Sequence, residues 1–271
     1  MSPIVKHTDP ETLTYNREAW DRQVAEGNIW TVPVSAASIE AARRGEWSVV
    51  LISMRPTPRH WFPAELKGLE ILCLASGGGQ QGPLLAAAGA RVTVFDNSPA
   101  QLERDRVLSQ EHDLGIRTVQ GDMADLSVFR NQSFDLVFHP VSNVFAPYVR
   151  PVWRESFRVL RPQGRLLAGF MNPAGYIFDS ERFEKTGERV VSYPVPFEDA
   201  RDLPPEELAS KRAQGLPLEF GHSLAALIGG QLEAGFHLVG FDECEHDKAE
   251  WRGPLDGYLP SYMATCGLKP G

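Results

Sequence analysis

At 271 residues the chain is long for one average domain and within the range of a single α/β domain carrying an insertion; 42% hydrophobic and 23% charged residues exclude disordered and fibrous classes. A formal net charge of −8 opposes a phosphate backbone, which argues against nucleic acid as the partner and for a small molecule. The start MSPIVKHTDPETLTYN lacks an apolar segment behind a basic end, and no apolar run is long enough to cross a bilayer, so a soluble, cytoplasmic protein without a membrane partner is expected.

The first 68 residues read as a helical region, with REAWDRQVAEG and SAASIEAARRG followed by the proline-rich RPTPRHWFP. From Leu69 onward short apolar runs alternate with helical patterns: LEILCLA, GPLLAAAGA, RVTVFD, PAQLERDRVLSQEHDL, IRTVQGD, FDLVFHP, YVRPVWRESFRVL and GRLLAGF. That alternation predicts an α/β fold, a doubly wound, mostly parallel sheet with helices on both faces, its first five strands near Ile71, Val92, Thr118, Val137 and Leu167. Pro83 suits a first helical turn, Asn97 or Ser98 can cap the helix opened by Pro99, and Pro162 with Gly164 stops the helix ending at Leu160.

At about 173–221 the rhythm breaks into a segment rich in proline, charge and aromatics, read as a cap over the binding end of the sheet or else a mobile loop. Its aromatics, Tyr176, Phe178, Phe183, Tyr193 and Phe197, either line a pocket or form the insertion's own small core. A helix, a turn at Gly235, a strand near Val239 and a last strand in GYLPSYMATCGLK follow. Cys73, Cys244 and Cys266 are far apart and without metal-ligand spacing, so neither disulfides nor a metal are expected.

Gly77, Gly79 and Gly82 follow the first buried strand at GxGxxG spacing, which makes a nicotinamide-dependent oxidoreductase the first reading. Glycines there let the backbone turn sharply and approach a ligand closely. Asp96 ends the second strand where an acid hydrogen-bonds a ribose diol in nucleotide-binding α/β folds. After the third strand, Gly121-Asp122-Met123 sets a carboxylate and an apolar side chain at the same edge; Asp122 either accepts from an adenine amino group or caps a helix before Leu126.

The succession LASGGG, FDNS, QGDM, FDLVFHPVSN and RVLRPQGRLL resembles the class I S-adenosylmethionine-dependent methyltransferases of the small-molecule methyltransferase-domain type, over roughly Leu69 to Phe170. The resemblance implies a Rossmann-like, seven-stranded sheet with an antiparallel last strand, S-adenosyl-L-methionine as cofactor and a small-molecule methyl acceptor. It divides the chain into an N-terminal lid region, 1–68, and a methyltransferase domain, 69–271, carrying the cap. By position, Ala75, Ser76, Gly77 and Gly79 would cradle the methionine part, Asp96 the ribose with Asn97 and Gln101 beside it, and Asp122 and Met123 the adenine. His139, Pro140, Ser142 and Asn143 would face the methyl group.

Two positions depart from the family: Cys73 stands where an acid is usual, and Ala75 where the first glycine is usual. Gln80 and, from the lid, Tyr15, Asn16 and Trp20 are candidates to replace the missing acid; Trp20 otherwise packs a helix and Tyr15 lies at the surface.

Methyl transfer from a sulfonium needs alignment in a dry cavity more than catalytic side chains. For a hydroxyl acceptor His139 is the candidate base; otherwise it contacts the cofactor or caps the strand. His222 at a helix start is read as structural or as a substrate contact, and Asn172-Pro173 as a turn. Besides the oxidoreductase, a non-catalytic module that only binds S-adenosylmethionine stays open because of Cys73 and Ala75. The basic stretches RRGEW and RPTPRHWF are the local argument for nucleic acid.

Overall fold

Asp9 accepts the Thr12 N–H and Pro10 opens the first helical turn, so the chain enters α1 (Pro10–Glu26), which ends at Gly27 in the left-handed conformation. The computed structural model describes residues 8–246 and 253–271. Ser35 caps α2 (Ala36–Arg43), and a small hairpin follows, β1 (Val50–Ile52) with β2 (Arg55–Pro56). The alternating section comprises β3 (Glu70–Leu74), α3 (Gln81–Ala87), β4 (Arg91–Asp96), α4 (Pro99–Glu111), β5 (Arg117–Gln120), β6 (Phe134–His139), α5 (Val149–Val159) and β7 (Leu160–Met171). The cap holds α6 (Ser180–Thr186), β8 (Phe197–Glu198), α7 (Asp199–Asp202), α8 (Pro205–Ala213) and β9 (Phe220–Gly221). Then come α9 (Leu224–Ala234), β10 (His237–Cys244) and β11 (Tyr262–Leu268).

The expected strand centres all fall inside strands, and Ser98 rather than Asn97 caps α4, its Oγ accepting the Gln101 N–H at 3.1 Å. One boundary differs. The helix stops at Val159 and β7 begins at once, so Pro162 and Gly164 lie within a bulge where the register jumps from Phe134 opposite Leu160 to Leu136 opposite Arg165. A bulge tolerates the missing proline N–H that a regular ladder would not.

The central sheet has seven strands in the order β10-β11-β7-β6-β3-β4-β5, with β3 to β7 parallel and β11 antiparallel to both β7 and β10. From β3 the chain winds outward through β4 to β5, then returns to β6 on the other side. The switch point between β3 and β6 opens a crevice at their carboxyl ends.

Alternation along the strands splits the core into two layers: Ile71 and Cys73 of β3 face one cluster, Leu72 and Leu74 the other. The first cluster takes in Leu51, Ile52, Trp61, Phe62 and Leu66, so the region before the sheet shares the sheet's core. At Gly169 of β7 an added Cβ would lie 2.4 Å from the Leu51 carbonyl oxygen, which fixes β1 directly over the β7 backbone. Trp153 of α5, fully buried, donates to the Ala226 carbonyl of α9 at 3.0 Å and anchors the second layer. Among the described residues no helix is long and apolar enough to cross a membrane, and no group of His, Cys, Asp and Glu could hold a metal ion.

Candidate active site

After β3 the chain turns through Ala75 in the left-handed region, φ 46°. A Cβ is unfavourable there, and a glycine would relieve about 1 kcal/mol of it. Ala75→Gly is therefore expected to leave stability unchanged or raise it by up to about 1 kcal/mol, where Ala→Gly ordinarily costs as much. Chemical denaturation of the two proteins checks this, and a clear loss would contradict it.

Gly77 donates its N–H to Asp96 Oδ2 at 2.9 Å. A Cβ on Gly77 would sit 2.8 Å from Gln101 Cβ and 3.1 Å from that carboxylate oxygen, so only glycine permits this approach. Gly82 lets α3 close onto β4, where a Cβ would meet Val94 at 2.8 Å. Beneath the loop lies Asp105 of α4, with no exposed surface, whose Oδ2 accepts the N–H groups of Gly78 at 2.9 Å and Gly79 at 3.1 Å. Burial pushes its pKa up to about 7 against those two N–H groups, with Asp96 adding repulsion. Its repulsion also adds to burial in raising the Cys73 thiol. A buried carboxylate thus serves the loop from α4, while position 73 holds a thiol.

The Asp96 carboxylate also accepts the Ser98 N–H at 3.0 Å. Burial raises its pKa, the N–H groups of Ser98, Gly77 and Asn97 lower it, and Asp21 raises it. Asp21 of α1 accepts from Ser98 Oγ at 2.6 Å and from the Ala100 N–H at 3.2 Å, and Asn97 Nδ2 donates to the Leu13 carbonyl at 2.8 Å. So α1 is fastened to the start of α4 beside Asp96. Asp122 caps a turn, its Oδ1 accepting the Ala124 N–H at 3.0 Å, with no helix following before Leu126.

A cavity of about 310 Å³ occupies the crevice. Of the residues named from the sequence it is lined by Ala75, Ser76, Gly77, Gln80, Asp96, Asn97, Gln101, Asp122 and Met123, with Pro140 and Ser142 from the β6 exit and Asn16 and Trp20 from α1. Gly79 shapes the loop from behind, where Val34 donates to its carbonyl at 2.9 Å. Gln80 Nε2 donates to the carbonyls of Ile29 and Val32, holding the N-terminal chain to the loop. Asn16 Nδ2 donates to Phe145 and Leu218 carbonyls, and Tyr15 Oη to Leu216, so α1 also reaches the cap.

His139 is not brought to the cavity. It is wholly buried, its Nδ1 lies 2.9 Å from the Leu74 carbonyl and therefore carries the proton, and burial pulls its pKa down to about 4. Asn143 is buried against Gly169, and His222 Nε2 donates to the Asn143 carbonyl at 3.1 Å, a structural contact. Asn172 Oδ1 accepts the Ala174 N–H and forms the expected turn. Sequence reasoning missed Asp105, and it missed Glu219, which lines the far end of the cavity with Tyr176 and Tyr262. Neither acid stands in a motif; a buried charged position in an otherwise polar helix would have been the only signal for Asp105.

These residues suit an adenosine-bearing ligand. The Gly77 cradle is open only because no Cβ fills it, and Gln101 lines the cavity beside it, its buried Oε1 without a hydrogen-bond partner. Asp96 presents a carboxylate to the crevice, with the apolar Met123 and Phe95 beside it.

Residues 72–168 match the family described as methyltransferase domain. Over 257 residues the chain is 48% identical to the uncharacterized methyltransferase YbaJ of Bacillus subtilis (strain 168), which covers 95% of this chain and 98% of that protein. The sterol 24-C-methyltransferase ERG6A of Gibberella zeae is 32% identical over 100 residues, 36% of this chain and only 26% of that longer protein. A crystal structure of an S-adenosylmethionine dependent methyltransferase from Mesorhizobium loti superimposes with a TM-score of 0.58 at 21% identity, covering 78% of this chain and 95% of that one, a likeness of fold. The oxidoreductase and the non-catalytic module both give way to these similarities. With a relative this close along nearly its whole length, the chain belongs to the class I S-adenosylmethionine-dependent methyltransferases and is an enzyme that uses S-adenosylmethionine.

Proposed function

We propose that the methyl acceptor is a small molecule, enclosed between the crevice and the cap at 173–221, with the N-terminal region acting as lid. The observation that carries this reading is the size and walls of the crevice: a cavity of about 310 Å³, bounded by α1 on one side and by Tyr176 and Glu219 of the cap on another.

In this reading Asp96 holds the ribose hydroxyls, with Asn97 and Gln101 beside it, Asp122 and Met123 border the adenine, and the backbone of residues 75–77 borders the methionine part. Bound S-adenosylmethionine supplies an electrophilic methyl group on its sulfur. The chain's own work is to orient and to exclude water, for which Trp20 set edge-on against Phe145 at 5.1 Å provides an apolar wall. His139 supports the β6 exit and takes no proton from substrate.

S-adenosylhomocysteine is expected to bind with a dissociation constant in the range of about a micromolar. Asp96→Ala should weaken that binding by about 1 to 3 kcal/mol in calorimetry through lost charge-assisted hydrogen bonds, and an unchanged affinity would place the ribose elsewhere. Release of S-adenosylhomocysteine should be stimulated by the low-mass fraction of a cell extract. Stimulation by the macromolecular fraction alone would overturn the small-molecule reading.

A further inference from the structure

Asp96, Gly77 and Pro140 mark the exits of β4, β3 and β6, where the cofactor reading places the nucleotide and its methionine part. The cavity continues past them along the sheet edge, to Met171 at the end of β7 and Tyr262 at the start of β11. That far end has a wall of its own. Tyr176 donates from Oη to Glu219 Oε2 at 3.1 Å and stacks on Phe197 with ring centroids 5.4 Å apart. The ring's place is built in: a Cβ on Gly221 would lie 2.6 Å from Tyr176 Cγ. Burial first, then Glu219, holds the Tyr176 hydroxyl far above its ordinary pKa, so it stays a donor.

Charge at this wall is one-sided. Lys211 lies 2.6 Å from Asp199 and 3.8 Å from Glu219, so a single ammonium faces two carboxylates and leaves a net negative charge. A second cavity of about 220 Å³ shares Met171, Tyr176 and Glu219 with the first and extends beneath α6, where Glu184 and Phe183 line it. Its imidazole, His246, is tied through Nδ1 to Asp256 at 2.8 Å. Among the described residues lining either cavity there is no lysine or arginine. Such a chamber repels carboxylates and phosphates and favours a hydrogen-bond donor that carries or acquires positive charge, flanked by aromatic faces.

We propose that the acceptor is a small amine with an apolar body, its nitrogen held by Glu219 beside Tyr176 and Tyr262 and its body lying in the second cavity. The bound ammonium first gives one proton through Glu219 to water; the lone pair so freed forms the bond to the methyl carbon, the carbon–sulfur bond breaks with its electron pair kept by sulfur, and the product leaves as the methylated ammonium. This inference rests on the cofactor reading of the crevice.

Calorimetry on the full chain saturated with S-adenosylhomocysteine tests it, with 2-phenylethylamine and 3-phenylpropionate as matched probes of opposite charge. The amine should bind at least about tenfold more tightly than the acid, and Glu219→Gln should weaken amine binding by about tenfold while leaving S-adenosylhomocysteine binding unchanged. Tyr176→Phe, which keeps the ring, should weaken it by about threefold. Equal or tighter binding of the acid, no binding of the amine, or an amine affinity indifferent to Glu219→Gln would overturn the proposal. Failure of S-adenosylhomocysteine itself to bind the parent protein would instead strike the cofactor reading, so the two failures are told apart.

Discussion

Replacing Asp105 with asparagine should tilt the pH dependence of stability, the variant gaining on the parent by about 4 kcal/mol between about pH 4 and pH 8. Burial raises the Asp105 pKa from 3.8 to about 7, against the N–H groups of Gly79 and Gly78. In that interval the folded chain keeps a proton that the unfolded chain has released, so rising pH favours unfolding. The contribution is complete below the unfolded value and gone once pH passes the folded one. His139 acts in the opposite sense, since burial lowers its pKa from 6.5 to about 4 and the unfolded chain holds the extra proton between those values. In the parent the two slopes oppose each other over much of the same range. Asparagine keeps an oxygen for Gly78 and Gly79 but cannot ionise, which leaves the His139 slope exposed: the variant should lose stability on acidification while the parent changes less. Urea unfolding of both proteins across that pH range measures the difference, and parallel curves would mean that Asp105 ionises as an ordinary surface acid does.

Gly121→Ala should destabilise the protein by about 3 kcal/mol and weaken S-adenosylhomocysteine binding as well. An added Cβ would lie 2.3 Å from Phe95 Cζ. Phe95 is 1% exposed and packed edge-on against Phe129 at 5.5 Å, so its ring has little room to give except toward the cavity it lines. The strain is shared between that ring and the loop that carries Asp122 and Met123, both of which line the cavity, and Gly121 itself donates to the Asp96 carbonyl at 3.0 Å. Denaturation and calorimetry on the same sample separate the two effects. Full stability in the variant would show that the loop shifts freely and that the glycine is dispensable.

The strands were legible because parallel strands buried on both faces read as short continuous apolar runs, LEILCL and FDLVFH among them. Gly77 and Asp96 were legible as neighbours because the turn after β3 and the end of β4 meet at one edge of a parallel sheet, where the structure joins them with one hydrogen bond. Asp105 escaped notice because its role comes from the loop folding back over α4, a contact between residues 27 apart that no local pattern marks. Glu219 escaped for a similar reason, since it meets Tyr176 only through the return path of the cap, 43 residues later. His139 stands at the strand exit as expected, yet the Leu74 carbonyl turns its imidazole into the core. The cap aromatics satisfied both readings: Tyr176 lines the cavity and packs on buried Phe197.

The Leu51 carbonyl packed on Gly169 limits how the enzyme can open. Because that hairpin sits against the β7 backbone and its neighbours fill the sheet's core, the stretch around it is a fixed hinge post rather than part of a swinging door. With the cofactor placed as proposed, a lid movement would pivot upstream of that hairpin, through α1 and its bonds to Asn97 and Ser98, so opening the crevice and loosening the surroundings of Asp96 would be one event.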